Sequence, residues 1–220
     1  MELCAASLDQ LFLKSGDPRK YKGPALPPHL LVFLQLASGL EHIHSKNLFH
    51  RDIKPANVLI FVHSTTGQII MKWADFGLSK FVNERGTCTL SGIRGTEWYF
   101  APELLKRLIN DEELGRGDIK SDVFAFALVI GYLLLGGQHL YGSDYDIPSN
   151  IKNKSPVNMN RKFYNLEKYK FINMTNIKKA EKKNFSEQKL TARISLVIFS
   201  QKCWKTNPTK GFHLHKSSKN

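Results

Sequence analysis

The chain has 220 residues, is 42% hydrophobic and 23% charged, and carries a formal net charge of +13; that is enough for one or two domains with a buried core and too apolar for wholesale disorder. A charge of this size would by itself point to nucleic acid or an anionic membrane surface, but residues 1–150 hold 15 Lys+Arg against 16 Asp+Glu and residues 151–220 hold 17 against 3, so the whole excess sits in the last 70 residues. Three widely spaced cysteines (Cys4, Cys88 and Cys203) support neither a disulfide framework nor a CxxC zinc site.

The N-terminus has no basic segment followed by a long apolar run, so no signal peptide is expected. Residues 7–14 read as a short helix beginning at Ser7, a capping residue type. Residues 15–27 read as a surface loop. Pro28 to Ser45 is a strong helix: Pro28 suits the first helical position, and Leu30, Phe33, Leu34, Ala37 and Leu40 recur at helical spacing along one core-facing stripe. Val58 to Val62 and Ile69 to Trp73 read as two strands joined by a Ser-Thr-Thr-Gly turn. Residues 79–100 look like a long functional or mobile loop, 101–109 like a helix, and 110–120 like a polar connection. Residues 121–135 are apolar nearly all round and should form a central helix ended by Gly136-Gly137. The longest apolar stretch, Val123 to Leu135, falls short of the roughly 20 residues that cross a bilayer. Beyond about residue 150 the composition turns rich in Asn and Lys, with a basic helix possible at 177–190 and a strand or short buried helix at 192–199.

Three clusters carry chemistry: His50-Arg51-Asp52-Ile53-Lys54-Pro55-Ala56-Asn57, Asp75-Phe76-Gly77, and Gly95-Thr96-Glu97-Trp98-Tyr99-Phe100-Ala101-Pro102-Glu103. In this order, with a hairpin between the first two, they resemble the catalytic loop, metal-binding loop and activation-segment end of protein kinases. Standing alone, Asp52 or Asp75 would be read as a solvated turn carboxylate; in this constellation a catalytic role is expected. Phosphoryl transfer to a hydroxyl needs a base near the acceptor, cations on the phosphates and rigid placement of both. The resemblance implies Asp52 as the base, Lys54 beside the transferred phosphate, and Asn57 and Asp75 as Mg²⁺ ligands, the last a hard oxygen donor for a hard cation. It also implies serine/threonine specificity through Lys54. Leu59 should floor the adenine pocket, His50 and Phe76 should join a packed spine, and Asp122 should anchor the catalytic-loop backbone, since a buried carboxylate needs such partners. Glu103 matches a residue that pairs with a late arginine, which is not identifiable in this sequence. Thr87, Thr89 and Ser91 are candidate phosphorylation sites with Arg51 as the phosphate partner.

The opening Glu2-Leu3-Cys4 segment sits where a kinase hinge would be. Together with Ser91 to Trp98 and Asp122 to Ala127, it is similar to the inositol-requiring sensor kinase/endoribonucleases of the unfolded protein response. That resemblance covers residues 1 to about 145 and implies that backbone groups of Glu2 and Cys4 face the adenine. It implies ATP and Mg²⁺ as cofactors, a protein substrate or self-phosphorylation, room for a homodimer, and a cytoplasmic location, with relatives in the endoplasmic reticulum membrane. The expected fold is α+β and protein-kinase-like: a mainly α-helical C-lobe with a short β-hairpin and no N-terminal lobe, because neither a glycine-rich loop nor a strand lysine precedes the hinge segment. Residues 1–148 are expected to be a partial kinase domain (hinge and C-lobe) and 149–220 a basic tail, poorly ordered or unrelated, of a truncated or wrongly assembled gene product. Such a chain is expected to be weak or inactive alone; a non-catalytic kinase-like interaction module and the remnant of a stress sensor are the alternatives. No RNA motif accompanies the lysine runs, so nucleic-acid binding by the tail is not expected.

Overall fold

The computed structural model describes residues 3–110 and 114–159. The element order is β1 (Ala6–Ser7), a 3-10 turn (Asp9–Phe12), α1 (His29–Ser45), β2 (Leu48–Phe49), a 3-10 turn (Pro55–Asn57), β3 (Val58–Val62), β4 (Ile69–Trp73), β5 (Lys80–Phe81), β6 (Thr87–Ser91), a 3-10 turn (Glu97–Tyr99), α2 (Pro102–Ile109), β7 (Leu114–Asp118), α3 (Lys120–Leu134) and α4 (Ile147–Lys152). None of the helices among the described residues is long and apolar enough to cross a membrane.

Two apolar clusters hold these elements together. In the first, the α1 face formed by Val32, Leu36, Ala37, Leu40 and Ile43 covers the inward residues of the β3–β4 hairpin, Val58, Ile60, Met71 and Trp73. The hairpin has the expected bounds, with Val58 opposite Trp73 and Val62 opposite Ile69. Its alternation of buried and half-buried residues follows from the two-residue period of a strand. Trp73 is fixed by its indole N–H, which donates to the Leu36 carbonyl at 2.8 Å. The second cluster joins Leu90, Phe100, Leu104, Leu105, Leu140, Tyr141, Ile147 and Ile151. Helix α3 serves both, giving Phe126 and Val129 to the first and Leu128 to the second, which is why it is apolar on every side. It ends as expected: Gly136 and Gly137 have φ of 67° and 91°, and their N–H groups donate to Leu133 and Tyr132 carbonyls, the paired bonds of a Schellman cap.

The structure corrects the reading at four places. The helix expected over 7–14 is instead strand β1 and a 3-10 turn. The backbone there is claimed by β3 through Ala5 N–H to Ile60 O at 2.9 Å and Leu8 N–H to Val58 O at 2.8 Å, and Ser7 Oγ donates to Asp9 Oδ1 rather than capping a helix. Pro28 is the residue preceding α1, not its first residue. The loop expected over 79–100 contains β5 and β6, and the polar connection expected over 110–120 contains β7. These pair with elements far along the chain: β5 with β2, and β6 with β7 from Thr87 opposite Asp118 to Ser91 opposite Leu114. Where one hairpin was expected, the described residues form three small antiparallel sheets, ordered β1–β3–β4, β2–β5 and β6–β7. Helix α4 straddles the composition change near residue 148 and buries Ile147 and Ile151 in the second cluster, and Asn158 Nδ2 donates to His139 O at 2.7 Å. The elements expected at 177–190 and 192–199 lie outside the described residues.

Candidate active site

The site grows from the turn that links β2 to β3. Arg51, at φ of 73°, occupies the left-handed region, which is costly for any residue that carries a Cβ. What holds it there is the carboxylate of Asp122 in the first turn of α3. Asp122 is 2% exposed; it accepts His50 N–H at Oδ2 and Arg51 N–H at Oδ1, both at 2.9 Å. His44 Nε2, at the end of α1, lies 2.9 Å from the same Oδ2. The expected anchor is therefore in place, and α1, α3 and the loop meet at one carboxylate.

His50 is fully buried. Its Nε2 lies 3.1 Å from Ala74 O and its Nδ1 accepts Asp52 N–H at 3.4 Å; those partners require the proton on Nε2. Burial is the main influence on the imidazole and lowers its pKa against the pull of Asp122, so the ring stays neutral. It thus ties the loop to the segment just before Asp75. Phe76 packs against His50 with ring centroids 4.9 Å apart and planes tilted by 49°, and is 46% exposed, so one side of the expected spine is packed and the other is open.

Asp52 is the hub. Lys54 Nζ lies 2.7 Å from its Oδ2, Asn57 Nδ2 donates to its Oδ2 at 2.9 Å and to its backbone carbonyl at 2.8 Å, and Thr96 Oγ1 donates to its Oδ1 at 2.8 Å. Lys54 Nζ also donates to Thr96 Oγ1 at 2.9 Å. Burial alone would raise the Asp52 pKa; the hydrogen bonds from Lys54 and Thr96, the Lys54 charge and the Asn57 amide outweigh it and hold the carboxyl below its ordinary value. Asp52 is accordingly an ionised acceptor at neutral pH.

Asn57 and Asp75 are brought together by the backbone, since Ala74 N–H donates to Asn57 O at 2.9 Å. Asp75 has φ of 63°, and its Oδ1 accepts Gly77 N–H at 3.2 Å. Because the Asn57 amide nitrogen is turned toward Asp52, its oxygen is left for another partner. An amide oxygen and a carboxylate suit Mg²⁺, which binds few protein oxygens and completes its shell with water and phosphate. Among the described residues no group of three or more His, Cys, Asp or Glu side chains could hold a metal.

Leu59 is half-buried between the inward residues Val58 and Ile60 and pairs with Ser7 of β1. Cys4, just before β1, is half-buried beside the same sheet. Glu2 lies outside the described residues. Glu103 Oε1 accepts Ser121 Oγ at 2.8 Å. Of the loop hydroxyls, Thr89 and Ser91 are exposed. Thr87 is buried at 8% exposure and engaged on both sides, donating to Asn83 Oδ1 at 3.0 Å and accepting Arg116 Nη2 at 2.7 Å.

Sequence reasoning missed Thr96 and His44. Thr96 had a signal, its place in the Gly95-Thr96-Glu97 cluster, but its contact with Asp52 crosses 44 positions. His44 had none, being one polar residue at the end of an amphipathic helix.

The protein kinase domain family matches residues 28–216, a span that crosses the composition change near residue 150. The chain is 38% identical to the human serine/threonine-protein kinase/endoribonuclease IRE2 over 159 residues, 71% of this chain and 16% of that relative. It is 31% identical to the sensor for unfolded proteins in the ER ire1 of Schizosaccharomyces pombe over 170 residues, 69% of this chain and 16% of that relative. It is also 31% identical over 144 residues, 64% of this chain and 25% of the relative, to an inactive serine/threonine-protein kinase/endoribonuclease IRE1-like protein of Arabidopsis thaliana. The chain thus spans about a sixth of the length of the first two relatives.

Proposed function

This chain belongs to the protein kinase family, and we propose that the cluster around Asp52 transfers the γ-phosphoryl group of ATP to a serine or threonine hydroxyl of a protein. The observation that carries this reading is the network in which Lys54, Thr96 and Asn57 converge on the Asp52 carboxylate.

In this reading Asp52 accepts the proton of the attacking hydroxyl, and its depressed pKa supports that role by keeping it unprotonated until the proton arrives. The hydroxyl oxygen forms a bond to the γ-phosphorus as the bond to the departing ADP oxygen breaks, and the hydroxyl proton passes to the carboxylate. Lys54 would offset the charge on the transferred group, and Thr96, bonded to both Lys54 and Asp52, holds the two in one arrangement. Bound through Asn57 and Asp75, Mg²⁺ would neutralise charge on the phosphate oxygens. Leu59 and the backbone at Glu2 and Cys4 are the proposed adenine contacts. The motifs in this chain are those of phosphoryl transfer, and the proposed chemistry is confined to it.

A non-catalytic role has one observation in its favour, the inactive plant relative. Measuring Mg²⁺-dependent nucleotide binding and phosphate transfer, with Asp75→Ala as control, separates the two. Transfer that depends on Asp75 supports the kinase reading. Nucleotide binding without transfer, even at high enzyme concentration and with a protein substrate present, favours the non-catalytic one.

A further inference from the structure

A cleft of about 750 Å³ opens beside the site. Lys54 and Thr96, the two side chains that hold Asp52, form part of its wall, so a segment lying in it would have its hydroxyls one side chain away from the carboxylate. The rest of the wall has a marked charge. It includes the carboxylates of Asp9, Asp144 and Asp146, while among the described residues Lys54 is its one lysine or arginine and is already engaged with Asp52. His139, also in the wall, does not offset this: burial holds its pKa down at about 4, so it is neutral near pH 7. Trp98 adds a partly open indole, 41% exposed, a surface on which a guanidinium or ammonium group can stack.

We propose that this cleft receives the acceptor segment and selects protein substrates with arginine or lysine close to the serine or threonine. The inference rests on the phosphotransfer reading above and adds to it the charge of the substrate. The carboxylates come from two separate segments, the 3-10 turn after β1 and the loop leading into α4, and converge on one groove. Acidic peptides would meet like charge there, and basic ones would meet carboxylates and an aromatic face together.

The test uses the full chain and three labelled peptides of equal length around one serine, flanked by arginine, by glutamine or by glutamate, with binding read by fluorescence anisotropy at low salt. The arginine peptide is expected to bind about tenfold more tightly than the glutamate peptide. That contrast should shrink as salt is raised and fall to about threefold or less in Asp144→Lys. Asp144 is exposed, so the variant's fold can be confirmed by an unchanged unfolding midpoint; Asp146→Asn provides a second, milder removal of charge. Equal binding of the three peptides, no binding of any, or an arginine preference untouched in both variants would overturn the proposal. Mg²⁺-dependent binding of a fluorescent ATP analogue, measured in parallel, keeps the two readings apart. Nucleotide binding without peptide selection sinks the cleft assignment alone, and peptide selection without nucleotide binding sinks the phosphotransfer reading while the cleft's preference stands.

Discussion

Thr96 gives Asp52 its third donor, and it can do so only because Gly95 lets two loops touch. Gly95 has φ of 125°, and a Cβ there would lie 2.5 Å from the Arg51 carbonyl oxygen, a distance that backbone atoms cannot yield easily. Gly95→Ala is therefore expected to cost about 1–3 kcal/mol, whereas Gly16→Ala, with open space around it, should stay within about 0.5 kcal/mol of the parent; chemical denaturation of the pair measures the difference. Thr96→Val removes the hydroxyl with little change of shape. The Asp52 pKa should then rise toward the ordinary carboxylate value, because burial would be less opposed. A carboxyl-carbon NMR titration reports this directly, and an unmoved pKa would show that Lys54 and Asn57 suffice.

Among the elements, α1 and α3 do most to place the site. Leu36 of α1 is 1% exposed and packs against the hairpin, while Leu31 on the same helix is 47% exposed. Leu36→Ala is expected to cost about 2–5 kcal/mol through lost burial and the cavity left behind, against a change within about 0.5 kcal/mol for Leu31→Ala. Asp122 is the point where α3 grips the catalytic loop. Asp122→Ala would leave the His50 and Arg51 N–H groups without their acceptor, at about 1–3 kcal/mol for each buried donor. Hydrogen exchange at those two amides should accelerate, and protection equal to the parent's would show that another acceptor takes over. The helices were legible from periodicity because each buries a stripe set by its own local sequence. The short strands β5, β6 and β7 were not: β5 has two residues, β6 (Thr87–Ser91) and β7 (Leu114–Asp118) lack the apolar, β-branched run that marks β3 and β4, and the partner of each lies elsewhere in the chain.

Across the described residues, His50 and the half-buried His139 set the direction of the pH response. His139 has its pKa lowered to about 4 and His50 is lowered as well, in both cases chiefly by burial. The unfolded chain, with histidines near their ordinary value, takes up more protons than the folded one as pH falls below about 6.5. Stability is thus full above that value and declines on acidification. The unfolding midpoint should drop between about pH 7 and about pH 5, and by less in His139→Asn, whose amide oxygen takes the place of Nδ1 as acceptor for Tyr141 N–H, a 3.2 Å bond in the parent, but does not titrate. Asp52 acts in the same sense at lower pH, as its depressed carboxyl is protonated only with loss of its partners.

The linear order of residues was enough to identify Asp52, Lys54, Asn57 and Asp75 as a group, to bound the β3–β4 hairpin, and to separate a near-neutral segment from a basic one. Those properties are local: motif spacing, strand alternation and charge are all read along the chain. Which groups touch Asp52, that His50 is neutral, that Thr87 is engaged while Thr89 and Ser91 are open, and that three aspartates share one cleft were decided by the tertiary structure. Each depends on segments tens of residues apart being pressed together by the two apolar clusters, and hydrogen-bond partners, burial and local charge exist only once that packing has formed.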